Sequence, residues 1–217
     1  MGVALNDRLF QRAASQHALF TAVQARECGV SRSALARSVA RGHLAVPHPG
    51  VFAVAGAPGS WERRLMAVLL AVPSAVASHR SAARLWQLVD PDDDTVEVTV
   101  PRNHGPRPAG VAVHRSGDLT QAQVSLCRGV WVTNPLRTIV DLGAVMPSAG
   151  VEDALDRGLI RRLYSVAGVE WMLAGLSRQG RHGTGVLGRV LDRRALGSKP
   201  PDGMLEPRMA RLLRSAG

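Results

Sequence analysis

The sequence predicts an α+β protein: an N-terminal winged helix-turn-helix, a central mixed α/β domain and a helical C-terminal region. Three observations carry this. Residues 20–54 hold two capped helical patterns around a glycine turn, then two apolar runs flanking Pro47-His48-Pro49-Gly50. Residues 96–100 alternate apolar and polar side chains, the period of a strand, and residues 111–114 do so more briefly. After Pro147 the pattern is almost entirely helical. The expected boundaries are 1–58 for the winged unit, 59–147 for the central α+β block and 148–217 for the helical region.

Each element has a local cause. Residues 5–18 read as a first helix with Leu5, Leu9 and Phe10 on one side. Thr21 with Gln24 makes a capping box, so a short helix should run to about Glu27, and Gly29 supplies the turn. Ser31 is a good N-cap for a second helix ending at Arg41, with Gly42 in the position after the cap. Leu35 and Val39, with Ala36 beside them, give that helix a buried stripe, which leaves Arg32, Ser33, Arg37 and Arg41 to project the other way. His43–Val46 and Val51–Val54 are the strands of a wing hairpin. A helix entering the major groove needs one apolar face and one face of donors. The DNA-contact candidates are therefore Arg32, Ser33, Arg37, Arg41, His43 and His48. Helix pairs joined by glycine also occur in domains that bind no DNA.

Residues 55–59 form a Gly/Pro linker, and Ser60 caps a helix whose stripe is Trp61, Leu65, Val68, Leu69 and Val72. Ser78 should cap a helix over HRSAARLWQL, with Ala82, Leu85 and Trp86 facing a core. Residues 130–132 read as a further strand. Asn134-Pro135 opens a helix over LRTIVDLGAV, as an N-cap followed by proline at the first helical position. Further helices are expected at about 148–162, 165–178, 184–194 and 203–215. The apolar stripes of the central block mark it as scaffold and partner contact.

The chain's 217 residues are enough for a sizeable core, and 46% of them are hydrophobic. Lys+Arg number 27 against 17 Asp+Glu, a net +10 that favours a polyanionic partner. Residues 1–58 carry +4 (6 basic, 2 acidic), 59–150 carry +1 (9 and 8) and 151–217 carry +5 (12 and 7). Lys199 is the one lysine, so part of the basicity reflects the arginine usage of a GC-rich genome, and the concentration at the two ends weighs more. Cys28 and Cys127 have no paired spacing, which predicts a reducing cytoplasm and no zinc site. Neither a membrane span nor a signal peptide is visible.

No constellation amounts to an active site. Asp90, Asp92, Asp93 and Asp94 lack the glycine and distal glutamate of a calcium loop and read as a solvated turn. The seven histidines show no metal-ligand spacing, and His79 reads as a helix-start or packing residue. Residues 180–185, GRHGTG, lack the lysine and preceding strand of a phosphate loop, so a helix connection with Thr184 as N-cap is expected. Arg102, His104 and Arg107 lie in a loop between strands that suits phosphate contact or plain solvation. The reading is a non-enzymatic chain with no catalytic residue, cofactor or metal.

Four blocks together resemble a known family: SRSALARSVARGHLAVPHPGVFAVAGAP, WERRLMAVLLAVPSAVASHRSAARLWQL, VEVTVPRNHGPRPAGVAVHRS and GVWVTNPLRTIVDLGAV. They look like successive segments of actinobacterial proteins with an AbiEi-type antitoxin domain, over about residues 15–195, with ASHRSAARLW and TNPLRTIVDL the most specific. The resemblance implies an N-terminal winged helix that binds operator DNA and represses its own operon. It also implies a cognate nucleotidyltransferase-type toxin of the AbiEii kind as partner. Many relatives continue into a very-short-patch-repair-like nuclease domain, and the tail PPDGMLEPRMARLLRSAG looks like its opening helix, with Glu206 in the place of the helix glutamate. Met204 and Pro207 depart from that pattern, and the strands bearing the other metal-binding carboxylates are absent, so no hydrolysis is expected: either the chain is a truncated relative or the tail is only a final helix. Three readings compete: an antitoxin-type regulator on double-stranded DNA, a truncated or degenerate nuclease-fusion protein, and a protein-interaction module.

Overall fold

In the computed structural model, which describes residues 7–91, 94–103, 108–177 and 183–198, the described residues fall into two units. The first draws on Met1–Ser81 and Pro91–Thr133, the second on Ala82–Asp90 and Asn134–Gly217.

The first unit begins α1 (Asp7–Ala14), β1 (Leu19–Thr21), α2 (Ala22–Glu27), α3 (Arg32–Ala40), β2 (Leu44–His48) and β3 (Val51–Val54). The capping box at Thr21 forms: its hydroxyl accepts from the Gln24 amide at 3.1 Å and its own amide donates to Gln24 Oε1 at 2.8 Å. Ser31 caps α3 through the Ala34 amide, and Gly29 and Gly42 take the left-handed φ that their turns need (+79° and +73°). The first helix is shorter than its periodicity suggests. His17 and Ala18 turn the chain with positive φ, and Leu19–Thr21 leave the helix to pair with β3. Leu9 and Ala13 are buried but Phe10 is 61% exposed, a correction to the three-residue stripe; Leu5 lies outside the described residues. The sheet order is β1-β3-β2, all antiparallel, with a register shift in β2 between Ala45 and His48. Phe20 from β1 stacks on Phe52 from β3 with centroids 5.7 Å apart, over a core that includes Leu9, Ala25, Leu35 and Leu44.

The chain continues through α4 (Trp61–Ala71), capped by Ser60. Trp61, Leu65, Val68 and Val72 are buried as the stripe predicts, while Leu69 is half-buried. Residues 55–59 read as a loose linker, yet Arg63 holds them. Its guanidinium donates to the carbonyls of Val54, Ala57 and Pro58, and α4 packs on β1, β2 and β3. A second sheet has the order β6-β5-β4-β8-β7, from β4 (Val76–Ala77), β5 (Val96–Pro101), β6 (Val111–Ser116), β7 (Val124–Cys127) and β8 (Val130–Thr133). β5 and β6 are parallel, and β7 and β8 form a hairpin around Arg128-Gly129, both at positive φ.

The second unit contains the end of α5 (His79–Leu85), then α6 (Pro135–Leu142), α7 (Ser148–Ile160), α8 (Val166–Leu176) and α9 (Thr184–Ser198). Its core gathers Ile139, Val140, Leu142, Leu155, Val169 and Leu187, and Trp86 packs on it half-buried. Asn134 caps α6 as predicted. Thr184 is the first helical residue of α9 and not its cap: the Gly183 carbonyl ahead of it accepts from Val186 and Leu187. Gly143 and Gly183 touch so closely that a Cβ on Gly143 would stand 2.2 Å from the Gly183 carbonyl oxygen. The helix expected at 203–215, with Glu206, lies outside the described residues, as do His104, Arg107 and residues 180–182 of the GRHGTG loop. No helix among the described residues is long and apolar enough to cross a membrane.

Candidate nucleic-acid interface and a buried polar cluster

α3 buries Leu35 and Ser38 against the winged unit and turns Arg32, Ser33, Arg37 and Arg41 to solvent. Residues 33, 37 and 41 follow at intervals of four, so they line one face. Ala36, placed beside the stripe by periodicity, is exposed, and Ser38 takes the buried position instead. The Ser33 hydroxyl lies 3.0 Å from that of Ser31, so it is tied to the cap and reaches outward less freely than the arginines. Among the described ion pairs of the winged unit, Arg12 is neutralised by Glu27 at 2.8 Å, whereas none engages Arg32, Arg37 or Arg41.

His43 follows α3 and is exposed; its amide donates to the Ser38 carbonyl and its carbonyl accepts from Ala55. His48 ends β2 opposite Val51 and is half-buried. Burial pushes its imidazole below the ordinary histidine range, so it is neutral at pH 7 and adds no charge to the wing.

The block ASHRSAARLW makes a second arrangement. Val76 and Ala77 pair with Thr99 and Val98, which carries Ser78 to the level of Glu97. The next residues then bond to β5: Ser78 Oγ accepts from Thr99 Oγ1 at 2.8 Å, Arg80 Nη1 donates to Glu97 Oε1 at 2.9 Å, and Ser81 Oγ accepts from the Glu97 amide at 2.8 Å. Glu97 and Thr99 share one face of β5, and the parallel register sets Ala112 and His114 of β6 beside them. His79 closes the cluster from the first residue of α5, in a left-handed conformation (φ 50°), its ring stacked on His114 with centroids 3.5 Å apart. Desolvation works to raise the Glu97 carboxyl pKa. His114, Arg80 and the charge of His79 lower it by more, leaving it below the ordinary carboxylate range.

His79 is thus the buried helix-start residue expected from the sequence, but not only that. Its neighbours come from residues 18 and 35 positions away, a spacing no local motif displays. Arg102 borders a pocket of about 560 Å³ with Ser74, Ser116, Thr120 and Trp131.

The order α1-β1-α2-α3-β2-β3, with a two-strand wing after the second helix of the pair, defines a winged helix-turn-helix unit. Residues 7–55, the same segment, match the family of transcriptional regulators described as AbiEi antitoxin. That family is what the winged segment is similar to, and the match stops before α4. No curated protein matches the chain.

Proposed function

We propose that this chain is a DNA-binding transcriptional regulator of antitoxin type. In this reading α3 lies in the major groove, with Arg32, Arg37 and Arg41 toward bases and phosphates, Ser33 beside them, and His43 and His48 on the wing near the backbone. The carrying observation is the row of exposed arginines on α3, opposite a face packed on Leu35, in a segment that matches a family of regulators. The natural target is the DNA upstream of its own gene, where binding would repress the operon. Replacing Arg32 and Arg37 together by alanine should weaken operator affinity by about 1–3 kcal/mol for each base that the missing guanidinium had read. A folded double variant that binds with unchanged affinity in a low-salt titration removes α3 from the interface.

The antitoxin role adds a nucleotidyltransferase-type toxin as partner. What supports a protein-contact surface is the β7–β8 hairpin, where Leu126 and Trp131 are cross-strand partners and remain 61% and 54% exposed. Co-expression with an adjacent nucleotidyltransferase-like reading frame should give a complex that purifies intact and loses stability in Trp131→Ala. Failure of the two proteins to associate would leave DNA binding as the whole of the function.

A further inference from the structure

We propose that His79, Glu97 and His114 form a binding site for one divalent transition-metal ion of the zinc class. Nothing in the DNA-binding reading requires it. The three side chains each bring a ligand atom, and all three atoms lie within 4.8 Å of one another. His114 Nε2 stands 3.4 Å from Glu97 Oε2 but is not aligned as a hydrogen bond, so this buried nitrogen has no hydrogen-bond partner. A hydrogen bond here would bring the two atoms to about 2.7–2.9 Å. Two donors bonded at about 2.0–2.1 Å to the same tetrahedral zinc stand roughly 3.3 Å apart. The observed separation fits the second arrangement.

The surroundings have the character of outer-shell support. His79 Nδ1 is 2.9 Å from Ser78 Oγ, which orients the ring through the nitrogen on that side, and Ser78 is itself held by Thr99. Arg80 Nη1 donates to Glu97 Oε1, and Oε2, which faces His114, also accepts from the Arg80 amide at 3.3 Å. The two rings stack with centroids 3.5 Å apart, so their in-plane nitrogen lone pairs converge on one ion only when the rings part on binding. Two imidazoles with one carboxylate suit zinc and its neighbours better than calcium or magnesium, which take oxygen donors. The His114 side chain is 29% exposed, while its Nε2 faces inward and is buried. β6 is an edge strand of the second sheet, and a bound ion would clamp it to β5 and to the start of α5.

The test uses the full chain, stripped with a chelator and titrated with Zn²⁺ against a chromophoric chelator. One tightly held ion per chain is expected, with a higher Tm that the chelator reverses. His114→Gln sits at the rim of the cluster and should keep the fold by circular dichroism. It should weaken zinc binding by more than the roughly 10–100-fold that loss of an outer partner costs. His43→Gln with His48→Gln, on the wing, should leave zinc affinity unchanged. X-ray absorption of the wild-type zinc complex should show two imidazoles with oxygen donors, a readout independent of any variant's folding. Absence of a stoichiometric ion in wild type, undiminished binding in His114→Gln, or a spectrum with fewer than two imidazoles overturns the proposal.

Discussion

At the scale of single residues, two buried or half-buried polar groups show how environment sets behaviour. Arg137 and Asp141, one turn apart on α6, are 3% and 5% exposed, with Nε 2.9 Å and 3.0 Å from the two carboxylate oxygens. The sequence marks TNPLRTIVDL as a capped amphipathic helix, and its two charges could equally have been a solvated face. Burial makes them interdependent. Asp141→Ala should cost about 3–5 kcal/mol in denaturant unfolding, because it leaves a buried guanidinium without its carboxylate. A loss below about 1 kcal/mol, the range of surface pairs, would contradict the burial. His48 gives the pH counterpart. Its folded pKa lies below its unfolded value, so between the two the unfolded chain binds more protons and stability rises with pH. The Tm of wild type should fall as pH is lowered through the ordinary histidine range, and His48→Gln should lose part of that dependence.

At the scale of elements, caps are legible in the sequence and close approaches are not. Ser31 and Thr21 announce their helices by residue type and spacing alone, and both form the bonds that those types allow. Ser31→Ala should cost about 1 kcal/mol of stability and loosen the start of α3. An unchanged midpoint would mean that water replaces the cap fully. Gly158, by contrast, looks like an ordinary weak point in a helix. It is required because Tyr164 lies across α7: a Cβ there would meet the Tyr164 hydroxyl at 2.1 Å, and that hydroxyl donates to the Ala154 carbonyl at 3.2 Å. Gly158→Ala should destabilise by about 1–3 kcal/mol despite better helix propensity, through overpacking. An increase in Tm would show that Tyr164 moves aside without cost. The strands β1 and β4 leave no sequence signature for another reason: at three and two residues they are too short for a period to register.

At the scale of the whole molecule, charge is the property with a direct measurable consequence. If Arg32, Arg37 and Arg41 all meet phosphates, the logarithm of DNA affinity should fall against the logarithm of salt concentration with a slope of roughly −3 from these three alone. Each arginine-to-alanine change should reduce that slope by about 1, whereas His48→Gln, neutral at pH 7, should leave it unaltered. A slope indifferent to all three arginines would place the DNA contact elsewhere. Local patterns were sufficient for the α+β class, the helix pair with its caps, the wing, and the exposed arginine face of α3. These depend on near neighbours in the chain: a cap acts within three residues and a helical face repeats every three or four. The Arg63 clasp on residues 55–59, the exposed Leu126–Trp131 pair and the meeting of His79, Glu97 and His114 needed the tertiary structure. Pairing between β4, β5 and β6 joins residues 15 to 23 positions apart, and such register is set by the packing of the whole sheet, with no trace in any local spacing.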